Sequence, residues 1–542
     1  MSEAIRIAVV STGGQVPAWE ASMVESLAAL PGVEVGLIID ESPLVDDAPL
    51  AFRCYEWLDN RLFGLFDNPL ARVPMPKSVA HWSLSDTEEM LDLVICLSAA
   101  RKDTVFGRYG ALWVEAVDDE GHGLSPVGYH EVMRRWRSSA IAVRHRRKPG
   151  VSARVIHCSR SSTDAISMRR NREQILWKAR DFIPRLVARA LRNGGVFPGC
   201  AASTQPVESK STCAGVGSAA LLAGDAVMSL ALDDVCHEVV RGYPSTAGLV
   251  GQFAHKLPDV FRFYYHAKLT REQWYLMFQF SDRISLGLDS YQAIVPPKDR
   301  IWADPHLLEK DDVWYVFIEE MLFSENKGFI SVLQIDAQGA WTQPVKVLER
   351  DYHLSYPQIV EWDGEIYMLP ESSANRTIEL YRCIDFPLRW ERVKVLIDDI
   401  EAVDSSLLWR EGKWWLFCSV KPHPAASEND ELHIYYSDDL LTGQWQPHAA
   451  NPVVSDVTRA RPAGRIFEHN GQLVRPSQNC GGIYGFGLNL NRITCLDETS
   501  YEEQIIDHTS AAAYPGMIAT HTLAREGRLT VVDACRRISV LG

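Results

Sequence analysis

At 542 residues the chain is longer than one hydrophobic core supports, so two or three domains are expected. The composition, 46% hydrophobic and 23% charged, is that of an ordinary globular protein. The net charge of −15 argues against nucleic acid or an anionic membrane as the main partner, because phosphate binding needs clustered Lys and Arg, and the basic cluster Arg134 to Arg147 is local.

No apolar run reaches bilayer length, and MSEAIRIAVV lacks the charged start, apolar middle and cleavage site of a signal peptide. A cytoplasmic location without an integral membrane segment is expected. The 11 cysteines form no CxxC pair, which fits reduced thiols better than a disulfide frame or a zinc site. Spacing points to no metal site and leaves the cofactor unknown.

In chain order, Ile5 to Val10 is an apolar run, Ser11-Thr12-Gly13-Gly14 a glycine turn, Ala18 to Leu30 a helical pattern and Val33 to Ile39 a second run. This is the opening of a doubly wound parallel sheet. Leu93 to Leu97, Ala111 to Val117 and Ile141 to Val143 supply further strands, and Tyr129 to Trp136 a helix. Thr12, Gly13 and Gly14 are the candidate cofactor-binding residues, since glycine loops before helices cradle anions. The motif lacks GxGxxG and GKS/T, so a tight structural turn is an equal reading.

Gln174 to Leu191 reads as a basic amphipathic helix with a solvated face. From Asn193 to Ser218 the chain is rich in Gly, Ser, Thr and Pro and reads as a linker, followed by a partly helical stretch to about Val250. The expected domains are therefore 1–192, a linker with short helices at 193–256, and 257–542.

The C-terminal part repeats. WADPHLLEKDDVWYVFIEE, SYPQIVEWDGEIYMLPES, VDSSLLWREGKWWLFCSV, PAGRIFEHNGQLVRPSQ and IATHTLAREGRLTVVDA align on Asp312, Gly364, Gly412, Gly471 and Gly527, spaced 52, 48, 59 and 56 residues apart. Each unit reads apolar run, two-residue polar turn, apolar run, with Asp363-Gly364 and Asn470-Gly471 as strong hairpin signals and Glu411-Gly412 and Glu526-Gly527 as looser ones. A lone hairpin cannot bury its apolar faces, whereas blades of about four strands in a ring can. A five-bladed β-propeller is predicted, with Trp274 to Phe280 as the strand that closes the ring.

Innermost strands converge on a central channel, so one repeat position gathers distant residues at one mouth. Eight positions before the turn residue lie Asp304, Tyr356, Asp404, Ala463 and Ala519; seven after it lie Glu319, Glu371, Ser419, Gln478 and Ala534. Several carboxylates in one cleft suit glycosidic bond chemistry, one ionised as base or nucleophile and another protonated as acid. Asp304 is assigned as base or nucleophile, Glu371 as acid and Asp404 as the group that tunes them, with Glu319 in reserve. For any one acid alone, a turn cap or an arginine pair is the simpler account.

Blade four carries Arg459, Arg461, Arg465 and Arg475, which suit an acidic sugar or sugar phosphate, or else neutralise the opposite carboxylates. Gln478 and His521 are further substrate-binding candidates. Among Trp302, Trp362, Trp409, Trp414 and Trp415, Trp302 beside Asp304 is the candidate for stacking a sugar.

The order of a Rossmann half and a propeller bearing ADPH, PES, VDSS and RPAG resembles bacterial relatives of the N-terminal region of plant glucosamine inositolphosphorylceramide transferases. The resemblance implies a formyltransferase-like N-terminal domain. Formyltransferases place an Asn-x-His on a strand near Leu112-Trp113-Val114-Glu115, and this chain has none; Asp118, Asp119 and His122 do not restore the spacing. The plant transferase domain lies in a separate C-terminal region that this chain lacks. The propeller also resembles the arabinanase and xylosidase type of five-bladed glycosidase, whose Asp in an Ala-Asp-Pro context, here Asp304, is the general base. Together these imply a carbohydrate-active enzyme in glycan or glycolipid assembly, with transfer favoured over hydrolysis and a carbohydrate or sugar phosphate as substrate. The alternatives are an N-acyl (formyl) transferase acting on an amino sugar and a non-catalytic glycan-binding scaffold.

Overall fold

A computed structural model describes residues 4–40, 48–83, 91–97, 105–192, 240–241 and 243–540. Most of the expected linker, 193–239, lies outside the described residues. The chain divides into two compact units, an N-terminal one and one formed by Leu257–Pro422 with Ser427–Gly542.

In the first unit, strands β1 (Ile5–Ser11), β2 (Val33–Ile39), β3 (Ala80–His81), β4 (Leu93–Cys96), β5 (Ala111–Val117), β6 (Ser138–Arg146) and β7 (Arg154–Ser162) form one sheet in the order β7-β6-β5-β4-β1-β2-β3. Neighbours from β5 to β3 run parallel, and β6 and β7 are antiparallel additions. The apolar runs of β1, β4, β5 and β6 are buried because helices cover them: Val9, Ile95, Leu112 and Val143 share a core with Val24 and Leu27 of α1 (Ala18–Ala28) and with Ile175 and Val187. Each such side chain contributes about 1.5–3 kcal/mol of burial.

The predicted helix from Gln174 to Leu191 is two helices, α2 (Met168–Ala179) and α3 (Phe182–Arg192). Pro184 is the reason. It fits the first turn of α3, where its missing N–H has no partner to lose, but would break a continuous helix. The charges of α2 are not a solvated face either: Lys178 is fully buried and donates to Ser161 Oγ at 2.6 Å, and Arg169 pairs with Glu173 at 2.7 Å.

The second unit is a five-bladed propeller, each blade an antiparallel sheet. The inner strands of blades one to three are Arg300–Lys310, Ser355–Trp362 and Ala402–Arg410, and those of blades four and five are Phe467–His469 and Leu523–Glu526. Blade five is completed by Thr270–Phe280, which pairs antiparallel with Leu529–Ser539 and closes the ring as predicted. Closure removes the open sheet edges that a row of hairpins would leave.

The hairpin turns explain the repeat. In Asp311-Asp312, Asp363-Gly364, Glu411-Gly412 and Asn470-Gly471 both residues have positive φ, the geometry that matches strand twist. In blade five the turn is one residue later than expected. Glu526 pairs with Leu529, so the turn is Gly527-Arg528, with positive φ at Gly527 alone.

Candidate active site

The inner strands of blades one to three share a bulge. Pairing with the next strand skips between Ala303 and His306, Ser355 and Gln358, and Val403 and Ser406. Asp304, Tyr356 and Asp404 follow the break with φ of +50, +46 and +51. An L-residue in that region costs about 1–2 kcal/mol. A cost repeated at one register in three blades marks bulges that re-aim side chains.

Asp304 is buried, and its Oδ1 accepts the Thr522 hydroxyl at 2.7 Å. Its own N–H donates to Oδ2 of Asp533, 3.2 Å away in blade five. Burial pushes Asp304 up to about 7, with the Asp404, Glu319 and Asp533 charges adding and His521 opposing. Asp533 also accepts the N–H groups of His521 and Thr522 at 2.8 and 3.0 Å, and His521 Nδ1 lies 2.5 Å from its Oδ2. His521 stacks on Trp274 with ring centroids 4.0 Å apart. Although burial opposes its charged form, Asp533 and Asp304 raise His521 to about 9.

Glu371 accepts the Ser373 hydroxyl at 2.7 Å on Oε1 and the backbone N–H of Asp404 at 3.1 Å on Oε2. Burial first and the Asp404 charge second push it to about 8, against the pull of Arg461. Asp404 is held from the other side: Arg461 Nε and Gln478 Nε2 each donate to its Oδ2 at 2.6 Å, and Arg461 Nη2 donates to Oδ1 at 3.3 Å. Blades two, three and four thus meet at two carboxyl groups, one in an ion pair and one favouring its neutral form.

Glu319 pairs with His353 Nε2 at 3.1 Å, while His353 Nδ1 accepts the Gly328 N–H at 3.0 Å, which puts the ring hydrogen on Nε2. Burial draws the His353 pKa down, and the Glu319 bond with the Glu319, Glu371 and Asp304 charges outweighs it. The field of these three acids at one imidazole places Glu319 and His353 beside the same cluster.

The Tyr356 hydroxyl contacts Ser406 Oγ at 3.0 Å and accepts the Gly464 N–H at 2.5 Å, so one side chain from blade two ties blades three and four. The His306 ring of blade one lies 4.5 Å from that of Tyr356, and burial lowers His306 to about 3, leaving it neutral.

The other sequence candidates lie elsewhere. Trp302 is 2% exposed in the core beside Leu307 and Trp314, with its indole N–H on Glu320. Arg475 is buried in a double bond to Glu503, and Arg465 pairs with Glu526 at 2.7 Å. The aromatic at the acids is Tyr484, which the sequence reading passed over. Its residue is 42% exposed, its ring lies 4.9 Å from the Arg461 guanidinium and 5.0 Å from the His521 ring, and it stands on a glycine-rich loop, CGGIYGFG. Gly485 has φ +65, and a Cβ there would meet His521, Trp274 and Ala519 at 3.2–3.4 Å, so glycine lets the loop approach.

In the first unit, Thr12, Gly13 and Gly14 follow β1, but the short strand Gln15–Pro17 separates them from α1. The loop therefore does not open onto a helix N-terminus. Glu115 pairs with Arg144, and Asp118 accepts the N–H groups of Glu120 and His122 in a local turn.

Asp304, His521 and Asp533 are close enough to share a cation. Both Asp533 oxygens already face hydrogen-bond donors, two on Oδ1 and two on Oδ2, so this trio is a proton-bearing network and a poor fit for a metal ion.

Fold and site together define a five-bladed propeller with a carboxyl cluster at one mouth. Residues 291–533 match the family model described as glucosamine inositolphosphorylceramide transferase 1, N-terminal. The rice (Oryza sativa subsp. japonica) protein named glucosamine inositolphosphorylceramide transferase 1 is 40% identical over 247 residues, 43% of this chain and 33% of that protein. Its Arabidopsis thaliana namesake is 35% identical over 217 residues, 40% and 28% of the two chains. The resemblance carried by the ADPH, PES, VDSS and RPAG motifs thus holds for the propeller, and the matched stretch spans about a third of these relatives. Among solved structures, a family 117 glycoside hydrolase of Zobellia galactanivorans aligns at 10% identity and TM-score 0.34, covering 49% of this chain and 91% of that one. The catalytic domain of a family 62 α-L-arabinofuranosidase of Coprinopsis cinerea aligns at 12% and 0.33, covering 44% and 92%.

Proposed function

We propose that the propeller mouth makes or breaks a glycosidic bond, with transfer of a sugar to an acceptor hydroxyl favoured over hydrolysis. The observation that carries this is two buried carboxyls that both feel the Asp404 charge: Glu371, which burial and Asp404 keep protonated up to about pH 8, and Asp304, which changes charge near 7. Glu371 gives its proton to the departing oxygen, and Asp304 takes one from the attacking hydroxyl or bonds the sugar itself. Asp404, fixed by Arg461 and Gln478, aims Glu371 through its backbone N–H and supplies the charge that keeps it neutral. Tyr484 offers the exposed ring on which a sugar stacks.

The printed names of the plant relatives support a transferase that handles glucosamine and an inositol-phosphate lipid headgroup, and a cytoplasmic setting accords with assembly. No helix among the described residues is long and apolar enough to cross a membrane. The test is turnover of a nucleotide-activated glucosamine, with and without an inositol phosphate acceptor. Glu371→Gln and Asp304→Asn are each expected to lower the rate by about 10²–10⁴-fold while the protein stays folded. Wild-type rates in both variants sink the proposal and leave a glycan-binding scaffold.

A further inference from the structure

We propose that Asp533 is the positioning residue of this site, one buried carboxylate that sets the placement of Asp304 and holds the His521 imidazole as a cation beside it. The inference rests on the reading of Asp304 as the reacting carboxyl.

Asp533 is fully buried on the second strand of blade five and reaches across the closure of the ring. Its Oδ2 accepts the N–H of Asp304, the residue whose positive φ turns that amide away from the strand ladder. The same oxygen holds His521 Nδ1, and Oδ1 collects the N–H groups of His521 and Thr522. Thr522 then returns its hydroxyl to Asp304 at 2.7 Å. One negative charge thus orders the backbone on both sides of the blade one to blade five junction, where otherwise three amides lack a strand partner. A carboxylate that accepts several N–H groups is held in one orientation, and it fixes the orientation of the imidazole bonded to it.

The charged groups acting on His521 come from three blades, Asp304 from blade one, Asp404 from blade three and Asp533 from its own blade, and the Tyr484 ring of blade four lies 5.0 Å from the imidazole. Asp533 is the charged group bonded to the ring, at 2.5 Å from Nδ1, and the neutral Thr522 hydroxyl touches the same nitrogen at 3.2 Å. Removing its charge while keeping its shape therefore changes His521 first and Asp304 second. His521 lies 3.7 Å from Asp304 Oδ1, and its positive charge opposes the burial that favours the neutral acid.

The experiment compares the full chain with Asp533→Asn and Thr522→Val by nitrogen-15 NMR of labelled histidine across pH 5 to 10. Wild-type His521 is expected to titrate near 9 and Asp533→Asn to lower it to the ordinary imidazole value of about 6.5 or below, while Thr522→Val, which takes only a neutral hydroxyl from the ring, moves it less. Turnover, where present, is expected to fall about tenfold or more in kcat for Asp533→Asn, with KM little changed and the Asp304 limb of the pH profile displaced. A His521 titration unchanged in a folded Asp533→Asn, or moved as far by Thr522→Val, overturns the inference. Because NMR needs no substrate, a failure of the glycosidic reading appears as absent turnover with the His521 response intact. A failure of this inference appears as the reverse.

Discussion

Glu371 and Asp304 show how two register positions on facing strands of the repeat can yield two chemical roles. Both carboxyls are raised by burial, so each resists ionising in the folded chain, whereas in the unfolded chain they titrate in the ordinary range. The stability they permit is fully present below about pH 4, where both states are neutral, and is lost as pH rises through 7 and 8. His521 acts in the same direction: its raised folded value gives stability below the ordinary imidazole value that is lost as pH rises through about 9. Thermal unfolding is therefore expected at a lower temperature at pH 9 than at pH 6. Glu371→Gln should melt a few degrees above wild type at pH 9 and level with it at pH 4, by calorimetry. Tyr484→Ala should weaken sugar binding by about tenfold and Tyr484→Phe far less, since the ring face is what stacks; equal affinity of Tyr484→Ala and wild type in a calorimetric titration removes Tyr484 from the site.

At the scale of the elements, the blades are held together at the axis by a few positions that tolerate no alternative. Gly464 has φ +140, and a Cβ on it would lie 2.0 Å from the Leu523 carbonyl oxygen, so blades four and five meet only because that side chain is absent. Gly464→Ala is expected to cost more than about 2 kcal/mol in denaturant unfolding. Tyr356 adds a hydrogen-bonded strut across the ring. Tyr356→Phe leaves the buried Gly464 N–H without its acceptor and should cost about 1–3 kcal/mol. A Tyr356→Phe protein as stable as wild type means the strut carries no load.

For the whole molecule, closure of the ring is the organising constraint. Thr270–Phe280 comes from the start of the propeller and is paired along its full length with Leu529–Ser539 near the end of the chain. A chain beginning at residue 281 exposes the edge of Leu529–Ser539 and is expected to aggregate or elute as a mixture in size-exclusion chromatography. A monodisperse monomer with the wild-type melting temperature contradicts this. The same closure brings Asp533 from the last blade to Asp304 in the first.

The period of the hairpins, the paired positive-φ turns and the alternating apolar runs are local properties, so the propeller, its blade number and its closing strand were legible in the residues from Trp274 to Ala534. So was the gathering of Asp304, Glu371, Asp404 and Gln478, because a ring brings equal register positions of different blades together, whereas His521 lies two residues past the blade-five register position, Ala519. Three things were not. Asp533 and the blade-five turn were displaced from the register because the hairpin turns at Gly527-Arg528, one residue on, and because the bulge there spans Thr520 to Thr522 on the inner strand and two residues on its partner. Trp302 and Tyr484 exchanged roles, since the sequence does not say whether an aromatic beside an acid faces the mouth or the gap between sheets, and only packing put Trp302 in the core and left Tyr484 in the open. Arginines of blade four were alike in sequence and different in place: Arg461 reached the acids, while Arg475 and Arg465 found Glu503 and Glu526. Sequence determines what repeats along the chain, because turn chemistry and side-chain alternation act over a few residues. Which charges meet is decided by contacts between blades, from 33 positions apart for Glu371 and Asp404 to 229 for Asp304 and Asp533, and the longest of these exist only once the ring has closed.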